Sequence, residues 1–142
     1  MLDRERIREK LADLESYIRE LEEVLPEDVD VYLASLEKRR ATERILQLSV
    51  EVVLDICAML VSGLKLGVPG EENDLFEKLG RAKVISEGMK HRLQSMRGFR
   101  NILVHEYASV DDRLVFETAM DRREDLRAFG REILKFLKEK QP

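Results

Sequence analysis

The chain of 142 residues has no tryptophan, one cysteine and two histidines, and aromatic residues make up only 6% of it. With Cys57 alone in "LDICAML", no internal disulfide can form, and a single thiol on an apolar helical face reads as a small core residue. Two histidines and one cysteine fall short of a structural zinc site, so no metal and no cofactor is expected. Without tryptophan the core must be built mainly from Leu, Ile, Val and Met. A basic excess is also missing: the net charge of −4 excludes a general nucleic-acid-coating protein and confines any such binding to a local strip. The most apolar run, Val52 to Leu66, is interrupted by Asp55 and Lys65 and is shorter than the roughly 20 residues of a membrane span. "MLDRERIREK" is charged from its third residue, so neither a signal peptide nor a membrane anchor is expected, and the expected location is the cytoplasm. There is no internal repeat and no low-complexity segment.

What is present is charge and helical periodicity. Apolar residues make up 44% and charged residues 38%, the balance of a foldable globular chain, and the length suits one domain over 1–142. Ile7, Leu11, Leu14, Ile18, Leu21 and Leu25 form one apolar stripe, which predicts a helix from Asp3 to Leu25 stopped by Pro26. A second helix starts near Asp30 and can run to Leu66, with Ala41, Ile45, Leu48, Val52, Ile56 and Met59 on one face. At about 1.5 Å per residue it would be about 55 Å long, which suggests a bend near Arg39–Arg40. "GVPGEEN" (67–73) is a loop, followed by a short helix from Asp74 to Leu79 that Gly80 ends. Ser86 caps the next helix, "ASVDD" (108–112) is a turn, and a last helix from Asp112 to Lys140 turns Leu126, Phe129, Ile133 and Phe136 inward. The fold class is all-α, an antiparallel bundle of four to five helices.

One stretch breaks this simple pattern. In "FRNILVHEY" (99–107), Arg, Asn, His and Tyr interrupt an apolar helix. Met89, Leu93, Met96, Arg100, Leu103 and Tyr107 share one narrow face at about 100° per residue, so Arg100 occupies a core position. A buried guanidinium must be paired, which leaves two readings: an acid on a neighbouring helix, or a face that lines a cleft or a second subunit. Gly98, unfavourable inside a helix by about 1 kcal/mol, suits a close approach to the backbone. Residues 81–100 add a basic strip, with Arg81, Lys83, Lys90, Arg92, Arg97 and Arg100 against Glu87 alone. His91 lies opposite Arg100 and faces solvent.

His105 lies about 140° round the helix from Arg100, so the two converge only if the helix distorts or if two copies cross at a two-fold axis. Two imidazoles and two guanidinia around one phosphodiester would suffice for metal-free RNA cleavage. One His would remove the 2′-hydroxyl proton and the other would protonate the leaving oxygen, while Arg100 steadied the phosphoryl charge. Arg97, about 60° from Arg100, is placed either to touch RNA phosphates or to sit in solvent.

Arg100 to Tyr107 resembles the Arg-x4-His-x-Tyr signature of HepT-like toxins in the HEPN superfamily of helical ribonucleases. The likeness extends upstream through "LFEKLGRAKVISEGMKHRLQSMRGFRN" and covers essentially the whole chain. It implies a HEPN-like symmetric homodimer with a composite, metal-independent endoribonuclease site at the interface. It carries catalytic roles to Arg100 and His105 and a supporting polar role to Asn101. It further implies RNA as substrate and, as partner, a nucleotidyltransferase antitoxin of the MntA type that adds AMP to Tyr107. A second reading is a non-catalytic helical dimer that binds a nucleotide or a nucleotidyltransferase as an adaptor. In that case His105 is an interface residue and Tyr107 a helix-closing aromatic.

Overall fold

The computed structural model describes residues 1–105 and 110–139. Among these the chain forms six helices and no strand: α1 (Arg4–Val24), α2 (Val29–Ala34), α3 (Leu36–Gly63), α4 (Glu72–Arg81), α5 (Glu87–His105) and α6 (Asp112–Glu139). The helix starts follow side-chain capping. Asp3 accepts from the Arg6 N–H, Ser35 from Lys38, Ser86 from Met89, and Asp111 from both Arg113 and Leu114.

Three boundaries differ from the sequence reading. The long second helix does not bend at Arg39–Arg40; it is broken at Ser35, whose extended backbone (φ −113°, ψ 106°) lets its hydroxyl cap α3. This raises the helix count from four or five to six. The short helix begins two residues early, at Glu72, and runs through Gly80 to Arg81. The left-handed residue after α4 is Lys83 (φ 59°), where the Lys83 N–H bonds the Gly80 carbonyl and the Val84 N–H bonds Leu79. These are the two bonds of a Schellman turn, and Lys65 (φ 56°) repeats the arrangement after α3. Lysine thus holds two positions where glycine is the usual signal, which is why Gly80 misled.

α3 is the central helix, packed against α1, α2, α4, α5 and α6. Its buried arc is therefore broad and carries Leu46, Val50, Val53, Leu54, Ile56, Cys57, Leu60 and Val61. Of the face expected from sequence, only Ile56 is fully buried; Ala41, Ile45, Leu48, Val52 and Met59 lie at its margin. By length and composition α3 could cross a membrane, but half of its apolar stretch is buried inside the bundle. The stripes of α1 and α6 are buried as expected. Cys57 is fully buried, and desolvation pushes its thiol well above the usual range.

Candidate active site

α5 is an uninterrupted helix that starts at the Ser86 cap, itself tied to α6 because the Ser86 N–H and hydroxyl both donate to the Glu132 carboxylate. Met89, Leu93, Met96 and Leu103 bury one face of α5 in the bundle, and Arg100 falls on that face. Its stem lines a small apolar gap between α3, α5 and α6 with Leu46, Val50, Phe99 and Leu126. The side chain is only 15% exposed. Its guanidinium is paired with an acid of a neighbouring helix: Nη2 donates to Glu72 Oε1 at 2.7 Å. Arg97 Nε donates to the same oxygen at 2.9 Å. Of the two sequence readings for Arg100, the protomer thus realises the ion pair. Among the described residues, Arg100 Nε is buried without a hydrogen-bond partner.

Glu72 is the residue that sequence reasoning missed. It sat in the loop "GVPGEEN", whereas in the fold it opens α4 and faces α5. A signal was available, because a guanidinium on a core stripe requires a counter-charge. Choosing among the chain's many acids, however, needed the α4–α5 packing. Burial by itself would raise the Glu72 carboxyl. The Arg97 hydrogen bond and the Arg100 charge outweigh that and hold it below the usual carboxylate range.

A lowered carboxylate pKa stabilises the fold above the unfolded value of about 4.3, and this contribution disappears as pH falls through the folded value. Urea unfolding from pH 7 to pH 3 should therefore show a steeper acid loss for the wild type than for Glu72→Gln. Equal slopes would mean that the pairing does not persist in solution.

His105 is the last residue of α5 and is exposed, whereas Asn101 is half-buried. Ile102 and Val104 beside them leave 39% and 38% of their surface open. His91 is exposed, as expected. Because α5 stays helical through His105, distortion does not bring Arg100 and His105 together within one protomer. Apart from its chain neighbours and the backbone of its own helix, no described residue lies within 4 Å of where a Gly98 side chain would begin, so the close approach expected there is not made by this chain's own described residues. Tyr107 lies outside the described residues. Among the described residues no cluster of three or more His, Cys, Asp or Glu is placed to hold a metal ion.

An exposed imidazole at the end of the helix that carries Arg97 and Arg100 adds a group able to move a proton to groups able to hold a phosphate. Comparison with known proteins identifies the family. Residues 14–133 match the family described as ribonuclease HepT-like. The tRNA nuclease HepT of Aphanizomenon flos-aquae is 32% identical over 110 residues, spanning 78% of this chain and 75% of that protein. The mRNA nuclease HepT of Shewanella oneidensis is 30% identical over 59% of this chain and 63% of its own length. Among solved structures, the tri-AMPylated Shewanella oneidensis HEPN toxin in complex with MNT antitoxin superposes with a TM-score of 0.84 at 25% identity, covering 91% of this chain and 96% of that one. The cytosolic protein YutE of Bacillus subtilis, of unknown function, shares the fold at a TM-score of 0.84 over 99% of this chain and 95% of its own. The chain therefore belongs to the HepT-like ribonuclease family, and its activity is that of an endoribonuclease.

Proposed function

We propose that the protein is the ribonuclease toxin of a toxin–antitoxin pair, cutting RNA without a metal at a site completed by a second copy of the chain. The observation that carries this reading is the disposition of α5: Arg100 on its inner face and His105 on its open end, on one continuous helix that cannot bring them together alone. The exposed Ile102 and Val104 beside His105 give a second α5 an apolar surface to cover. A two-fold axis there gathers two Arg100 and two His105 side chains.

In this cleft one His105 accepts the proton of a ribose 2′-hydroxyl, and the freed oxygen attacks the adjacent phosphorus. The bond from phosphorus to the 5′-oxygen breaks, and the second His105, as imidazolium, protonates that oxygen. The products are a 2′,3′-cyclic phosphate and a 5′-hydroxyl. Arg100 neutralises the charge gathering on the non-bridging oxygens, Asn101 supports the motif, and Arg97 adds a further contact to RNA phosphate. The related nucleases are described as acting on transfer RNA in one case and on messenger RNA in the other, so what they have in common is the phosphodiester.

Silencing follows from a partner nucleotidyltransferase of the MntA type, working in the cytoplasm. It transfers AMP from ATP to the Tyr107 hydroxyl and releases pyrophosphate. An adenylyl group on the motif adds charge and bulk where the RNA must enter. The AMPylated state of the Shewanella toxin supports this assignment.

The test is RNA cleavage by the purified, unmodified protein in EDTA, with His105→Ala alongside. Cutting that survives EDTA and falls by about 10²- to 10⁴-fold in the variant is the expected result. No cutting by wild-type protein whose Tyr107 is shown by mass spectrometry to be free of AMP would replace the enzyme with the adaptor reading.

A further inference from the structure

The Glu72 carboxylate uses a single oxygen, Oε1, for both guanidinia, at 2.9 Å from Arg97 and 2.7 Å from Arg100. Two N–H donors saturate the lone pairs of that oxygen. Arg97 and Arg100 are three residues apart on α5, neighbours on the helix surface, where like charges repel. The carboxylate between them turns two mutually repelling, flexible side chains into one fixed group.

The charges fit the chemistry of the substrate. Two guanidinia and one carboxylate leave one uncompensated positive charge, the complement of a single phosphodiester. Exposure grades outward along the same group, from 15% for Arg100 to 27% for Arg97 and 39% for Glu72. Arg100 is anchored in the bundle, while Arg97 and the bridging carboxylate meet solvent.

The mount is rigid. Leu75, Phe76 and Leu79 bury the inner face of α4. Further along, Glu77 accepts from Lys90 and Gln94, so α4 and α5 are joined at two levels in antiparallel register. The position of the Arg100 guanidinium is thus set by α4 as well as by its own helix.

We propose that Glu72 is a positioning residue that holds Arg97 and Arg100 together as one preorganised site for a single RNA phosphodiester. The proposal rests on the ribonuclease reading of Arg100 and His105. Glu72 itself does not touch the substrate; it acts through the two guanidinia. Preorganisation of this kind matters because a misplacement of about 1 Å in a catalytic group can cost about 10²-fold in rate. The opposite role is physically open to the same carboxylate: an internal anion that competes with the phosphate and slows the enzyme. The two roles predict opposite signs.

The experiment is steady-state cleavage of a fluorophore-quencher RNA oligonucleotide by the wild type, Glu72→Ala, Glu72→Gln and His105→Ala, with thermal unfolding of each protein. For Glu72→Ala, kcat should fall by about 10²-fold while KM stays level or falls, because removing a negative charge beside two guanidinia strengthens RNA attraction. Glu72→Gln keeps an acceptor oxygen in place and should recover about tenfold of the lost kcat. A Glu72→Ala protein with kcat equal to or above the wild type overturns the positioning role. So do equal losses in Glu72→Ala and Glu72→Gln that follow a shared drop in unfolding temperature, which would make the pairing purely structural. If the wild type does not cut, or cuts as fast as His105→Ala, the ribonuclease reading falls and takes the positioning role with it. That outcome shows in those two samples alone.

Discussion

Arg100→Ala is expected to lower RNA cleavage by about 10³-fold or more while the protein stays folded and keeps its oligomeric state. Removing one preorganised donor to a developing anion commonly costs 10²- to 10³-fold, and in the proposed two-fold symmetric site the substitution removes two. The fold should tolerate the change because the Glu72 carboxylate left behind is 39% exposed and can be solvated by water. Glu72 also retains Arg97 as a partner. Arg100→Lys separates charge from geometry: an ammonium restores the charge, but not the planar fork that reaches two oxygens at once. Partial recovery in Arg100→Lys would identify the fork as the larger contribution. Full activity in Arg100→Ala would remove the residue from the mechanism, and light scattering on the same samples reads the oligomer independently.

The second large effect is on stability. Phe76→Ala is expected to reduce the free energy of unfolding by about 3–5 kcal/mol, measured by urea denaturation, against a typical total of about 5–15 kcal/mol. Phe76 is 1% exposed and is the largest of the three residues that bury α4, a helix of ten residues with little stability of its own. Phe76 and Glu72 are one turn apart on the same face of α4, so the void beneath Phe76 also loosens the mount of the Arg97–Glu72–Arg100 group. Phe76→Leu, which keeps most of the volume, should lose much less. A loss under about 1 kcal/mol in Phe76→Ala would mean that α4 is not anchored through this ring.

Much of the architecture was legible in periodicity. The stripe of α1 is spaced four and three residues apart with no competing pattern, and every member is buried in the fold. The inward face of α6 was equally plain, because that helix packs on one side and is charged on the other. α3 was harder. A helix covered by all five others has no single stripe, so the face chosen from spacing lay at the edge of the true buried arc. The break at Ser35 lies upstream of the apolar face that begins at Ala41, so the spacing carried no information on it and the backbone reveals the cap.

The same division runs through the site. The chain alone determined that Arg100 sits on a core-facing stripe, that His105 points elsewhere on the same helix, and that the motif string is that of a ribonuclease family. These follow from local geometry, since 100° per residue fixes relative direction on any one helix. Only the tertiary structure decided what meets Arg100. Glu72 lies 28 residues earlier, in a segment that reads as loop, and which acid reaches the guanidinium depends on how α4 docks against α5. Helical direction is encoded in every turn of the sequence, whereas a charge partner across two helices is a property of their packing, to which local periodicity is blind.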